Sequence, residues 1–145
     1  MRSEQPAHVL VCVTDQTSCR RLITAGVAIA EKLQVPVKVV SVQPEGLVSK
    51  KAGEALQVLY NISAKLGADM TVYFSEDPAL TVAVHARQAG AVHIVSGAPG
   101  ANSNLFIETI KGLLPEIPLS VVDADEHIVT FPGMPAAVSQ GQTTA

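Results

Sequence analysis

The sequence predicts an α/β domain built on one doubly wound, five-stranded parallel sheet of order 3-2-1-4-5. Three observations lead there. Five short apolar runs alternate with helix-periodic segments along the 145 residues, the pattern of strand–helix–strand units with right-handed crossovers. Hydrophobic residues make up 48% of the chain but aromatic residues only 3%, with no Trp. The core must therefore be Val, Ile, Leu and Ala, as suits strands covered by helices on both faces. Finally, the runs Val9 to Val13 and Val92 to Ser96 are the most uniformly apolar. They should lie side by side at the centre, with the reversal of strand order between them.

The first strand, Val9 to Val13, runs into a polar turn, Thr14-Asp15-Gln16-Thr17-Ser18. Leu22, Gly26, Ile29, Ala30 and Leu33 then follow at helical spacing, and Ser18 or Thr17 is placed to cap that helix. Arg20 and Arg21 in its first turn oppose the helix dipole, which points them at solvent or a ligand. The second strand is Val37 to Val42, introduced by Pro36 and stopped near Pro44. Ala52, Ala55, Leu56, Leu59, Ile62 and Leu66 form one face of the next helix, which Gly67 ends. The third strand is Met70 to Phe74. Ser75-Glu76-Asp77-Pro78 supplies a cap and a first-turn proline for a helix ending at Gly90. After the fourth strand, Gly97-Ala98-Pro99-Gly100 breaks the chain. A fourth helix then presents Phe106, Ile110, Leu113 and Leu114, and Leu119 to Val122 forms the fifth strand.

These elements place a domain in residues 1–123 and a compositionally distinct tail in 124–145. The tail opens on a polar cluster and continues as Ile128 to Phe131, which suits a short edge strand or a contact with a partner subunit. Its last ten or so residues read as disordered.

The formal net charge is −3 and no basic stripe is evident, which argues against nucleic acid as a partner. Two cysteines make no disulfide framework, there is no signal-peptide pattern, and no apolar run reaches a membrane span. The expectation is a cytoplasmic protein without a membrane partner.

In such sheets a ligand lies outside the carboxyl ends of the strands, where the strand order reverses. That address is bounded by the turn at Thr14 and Asp15 and by the loop at Gly97 and Gly100. Asn102, Ser103 and Asn104 are good helix caps whose unpaired N–H groups attract a phosphate or carboxylate. Val40 and Val42, leading out of the second strand, would line a base pocket. Each feature also has a plain structural reading: the glycines as a sharp turn, the Thr14 segment as capping and solvation. His93 reads as a satisfied core or interface residue and His85 as a helix-surface residue. Neither the histidines nor the cysteines have metal-binding spacing. A Walker A loop, a nucleophile elbow and a receiver-type acidic pair are absent, so no enzyme is expected.

Leu22…Gly26…Ile29-Ala30…Leu33 and the loop Ser96-Gly97-Ala98-Pro99-Gly100 together resemble the universal stress protein family, over about residues 7 to 123. The likeness extends to the stress-protein-like domain of potassium-sensing histidine kinases, whose first turn is less acidic. The resemblance implies an adenine-nucleotide α-hydrolase-like fold, a homodimer formed through the fifth strand, and ATP or AMP bound for regulation in a stress response. It implies ligand contacts from Thr14, Asp15, Val42, Gly97, Gly100, Asn102, Ser103 and Asn104. Two features depart from the family pattern. Thr14 stands where the adenine-contacting Asp is expected. The Gly-Ser pair expected after Gly97-x-x-Gly100 falls on Ile110-Lys111 or Leu105-Phe106. The alternative implied is a dimeric interaction module of the same family that does not bind nucleotide.

Overall fold

The structure, a computed structural model, describes residues 6–46, 48–99 and 104–134. Its strands are β1 (His8–Val13), β2 (Val37–Gln43), β3 (Asp69–Phe74), β4 (Ala91–Gly97), β5 (Leu119–Val122) and β6 (Ile128–Phe131). Its helices are α1 (Arg20–Leu33), α2 (Lys50–Lys65), α3 (Pro78–Ala89) and α4 (Leu105–Leu113). The sheet order is β3-β2-β1-β4-β5-β6. Its first five strands are parallel and follow the predicted order. β6 is an addition, antiparallel to β5.

β1 is buried along its whole length, as a central strand covered on both faces must be. Its alternate residues feed two cores. Val9, Val11 and Val13 pack with Leu22, Ile23 and Ala30 of α1 and Leu59 of α2. Leu10 and Cys12 pack with Val82, Ala83 and Ala86 of α3 and Ile107 and Ile110 of α4. Opposite β1, β4 carries one extra residue: His8 pairs with Ala91 but Val9 pairs with His93. This bulge at Val92 shifts the alternation, so Ala91 and Ile94 share the α3–α4 core while Val95 joins the other.

Helix ends follow the expected chemistry where a side chain reaches a free N–H. Asp77 caps α3 by accepting from Leu80 N at 3.2 Å, with Pro78 in the first turn. Ser49 caps α2 by accepting from Ala52 N at 3.0 Å. Gly90 closes α3 at φ 87°, a backbone region that favours glycine.

Three expectations are corrected. Neither Ser18 nor Thr17 caps α1 with its side chain: Thr17–Cys19 form a single 3-10 turn that leads straight into the helix. Asn104 stands at the cap position of α4 without a capping bond from its side chain. The buried stripe of α4 contains Ile107 where Leu113 was expected, Leu113 being exposed.

The polar cluster opening the tail forms a hairpin turn. Asp123 Oδ1 accepts from Asp125 N at 2.8 Å and His127 N at 2.9 Å, and Asp123 N donates to His127 O at 3.0 Å. These bonds reverse the chain and lay β6 along β5. The fifth strand, through which a homodimer is expected, therefore has both edges paired within the chain.

Candidate functional site

β1 and β4 are adjacent, and their connections depart to opposite faces of the sheet. After Val13 the chain turns through the 3-10 segment into α1. There the buried Cys19 Sγ accepts from Thr14 N at 3.4 Å and lies 3.4 Å from Thr14 Oγ1. After Gly97 the chain heads toward α4, steadied by Ala98 N donating to Val122 O at 2.9 Å. The divergence opens a cleft of about 510 Å³ above the strand ends. Cys12, Val40 and Val42 line its base, Pro78 and Val82 of α3 and Phe106 and Ile107 of α4 its sides, and Thr14, Gln16, Gly97, Ala98 and Pro99 its rim.

The lining is aliphatic, aromatic, thiol, hydroxyl and amide, and among the described residues it has a single charged side chain, Arg21. Arg21 Nε donates to the carbonyl of Asp123 at 2.9 Å and Nη1 to the carbonyl of Ser18 at 2.9 Å. Both are charge-assisted bonds, and together they fix a side chain that would otherwise be free to rotate. Burial pushes the Cys12 thiol up to about 12, so it lies in the cleft as an uncharged apolar group.

Of the residues singled out from sequence, Thr14, Val42, Gly97 and Asn104 lie around this cleft. Asp15 is exposed on the turn and is not part of the lining. Gly100, Asn102 and Ser103 lie outside the described residues. Sequence reasoning missed Cys12, Cys19, Pro78, Val82 and Ile107. Four of them read as ordinary core residues and Pro78 as a first-turn proline, and only the strand order brings them together. Arg21 did leave a signal, a cation in a first helical turn.

Two other polar groupings flank the sheet away from the cleft. His85 faces the sheet: its Nδ1 lies 2.8 Å from Tyr73 Oη, and its ring meets His8 edge-on with centroids 6.5 Å apart. This corrects the expectation of a helix-surface residue. His8 Nε2 and His85 Nε2 are buried without a partner among the described residues. Burial lowers the proton affinity of both rings, and the Lys38 charge adds to that in each. On the other face, His93 Nε2 lies 2.8 Å from Ser120 Oγ, which lies 2.8 Å from Thr130 Oγ1, linking β4, β5 and β6. Asp123, Asp125 and His127 offer donor atoms within 4.8 Å of one another, but Asp123 already serves the hairpin turn.

No family model matches the sequence, and no curated protein matches it. Solved structures do match. The universal stress protein from Archaeoglobus fulgidus in complex with dAMP superposes with a TM-score of 0.59 at 21% identity, covering 79% of this chain and 96% of that one. A universal stress family protein from Burkholderia pseudomallei gives 0.59 at 16% identity, covering 83% and 97%. UspA from Lactobacillus plantarum gives 0.61 at 17% identity, covering 81% and 96%. The fold is that of the universal stress proteins. The chain shares the adenine-nucleotide α-hydrolase-like sheet of these structures, with β6 continuing it past β5. Among the described residues no helix is long and apolar enough to cross a membrane.

Proposed function

We propose that this chain is a universal-stress-protein-like regulatory module that binds an adenine nucleotide, or a related nucleotide messenger, in the cleft between β1 and β4. The observation that carries this reading is the cleft itself. It lies at the reversal of strand order, where α/β sheets take their ligands. Its volume of about 510 Å³ suits a nucleotide, and Val40, Val42 and Phe106 offer apolar surface for a base. The Archaeoglobus fulgidus protein of this fold holds dAMP, which supports the same ligand class here. The mixture of hydroxyls, amides, thiols and one guanidinium suits recognition, and the module acts by binding rather than by chemistry. Thr14 in the less acidic first turn agrees with the likeness to sensor-kinase domains. The two free cysteines favour a reducing compartment such as the cytoplasm.

A second reading, an interaction module that pairs with its own copy, is favoured by the exposed Ile128 and Val129 of β6. Because β6 occupies the edge of β5, a homodimer would meet through β6.

Calorimetric titration of the full chain with ATP, AMP and cyclic dinucleotides tests the first reading. Saturable heat is expected from at least one of them, and Gly97→Val, which adds bulk at the rim, should abolish it. Absence of heat from all of them overturns nucleotide binding and leaves the interaction module.

A further inference from the structure

We propose that Arg21 is the anion receptor of this cleft and that it selects a nucleotide bearing a single phosphate over a triphosphate. The inference rests on the nucleotide reading above and assigns its specificity.

Among the described residues, Arg21 is the one charged side chain in the lining. Its position in the first turn of α1 works against the helix dipole, so helix stability does not account for it. Two of its three nitrogens are committed, Nε to Asp123 O and Nη1 to Ser18 O. Nη2 has no hydrogen-bond partner among the described residues and stands beside Gly97, 3.6 Å from where a Cβ on that glycine would be. The missing side chain leaves room there for an anion to approach the guanidinium. The two carbonyls hold the fork before any ligand arrives, so little rotamer entropy remains to be lost on binding.

Charge balance sets the preference. One phosphate monoester carries about −1.5 to −2 at neutral pH, and a single fixed guanidinium meets most of it. A triphosphate brings further negative charge. Among the described residues, the cleft lining supplies neither a second cation nor a carboxylate to hold a divalent ion.

The test is calorimetry on the full chain with adenosine, AMP and ATP, at low and moderate salt. It uses the wild-type protein, Arg21→Gln and Arg21→Lys. Wild-type protein should bind AMP roughly tenfold or more tighter than adenosine, the scale of one hydrogen bond to a charged group, and tighter than ATP. Salt should weaken AMP binding and leave adenosine binding nearly unmoved. Arg21→Gln should bring AMP down to the affinity of adenosine, while Arg21→Lys keeps part of the preference. Equal wild-type affinity for AMP and adenosine, ATP binding as tight as AMP, or an Arg21→Gln protein that keeps the AMP preference would each overturn the assignment to Arg21 while leaving nucleotide binding standing. Failure of all three ligands on wild-type protein overturns the nucleotide reading and this inference with it. Adenosine binding by Arg21→Gln also serves as the check that the variant cleft is folded.

Discussion

Gly26 of α1 lies directly on Val11 of β1, so close that a Cβ built on the glycine would run into Val11 Cγ2. The helix approaches the central strand as nearly as it does because that Cβ is missing. Gly26→Val should therefore force the two apart and destabilise the fold by about 1–3 kcal/mol, the usual cost of overpacking a filled core. Urea unfolding should show a lower midpoint with an unchanged slope. A midpoint equal to wild type would show that α1 does not need this approach.

Gly53 in α2 is the opposite case. A Cβ there meets nothing within 4 Å, and the residue sits inside a helix. Gly53→Ala should stabilise the protein by roughly 0.5–1 kcal/mol through helix propensity alone. A rise in thermal midpoint is the expected result, and a fall would mean that α2 packs more tightly at this point than the structure has it.

The buried ring of His8 and the half-buried ring of His85 should make stability depend on pH. Burial is the main cause that lowers each below its ordinary 6.5, and Lys38 acts in the same direction. His93 on the opposite face is lowered by burial too. The unfolded chain then binds more protons than the folded one below about 6.5, so this contribution is fully present above that pH and is lost as pH falls through the folded values. Thermal midpoints should decline from neutral pH toward about pH 5. His8→Leu, which leaves nothing to protonate at the fully buried position, should decline less. A parallel decline in the two proteins would remove His8 from the account.

β6 covers an edge that would otherwise present free N–H and C=O groups. A chain stopped after Asp125 lacks that cover, together with the Ser120–Thr130 contact. Sedimentation should find the shortened protein associating or aggregating at concentrations where the full chain does not. Unchanged behaviour would show that β5 needs no cover.

The parallel sheet was readable from sequence because each of its strands carries a short apolar run and each helix has its own stripe. Caps such as Asp77 could also be read, since the bond they make is to a neighbour in the chain. What could not be read depends on distant partners. The anchor that fixes Arg21 is a carbonyl 102 residues away, and no local pattern encodes it. The bulge at Val92 left no mark because one extra aliphatic residue in an aliphatic run looks like its neighbours. Ile128 to Phe131 suited an edge strand and a partner contact equally well. The bonds accepted by the Asp123 carboxylate fold the hairpin back and make the segment an edge strand on β5. Likewise, the Thr14 turn is held from inside by Cys19 rather than by the hydroxyls that flank it.

The position of β1 has a consequence for how the chain is made. Of the six strands described, β1 is made before the others and lies at the centre: it can pair with β2 early, but its other edge belongs to β4, which begins only at Ala91. Until Ala91 to Gly97 have emerged from the ribosome, the growing chain carries a half-sheet ending in a fully buried, largely apolar strand with an open edge. Contacts of such long sequence separation form late and slow folding, and unpaired apolar edges make nascent species prone to aggregate. Chaperone dependence during synthesis should thus be greatest before β4 appears and fall sharply once it docks.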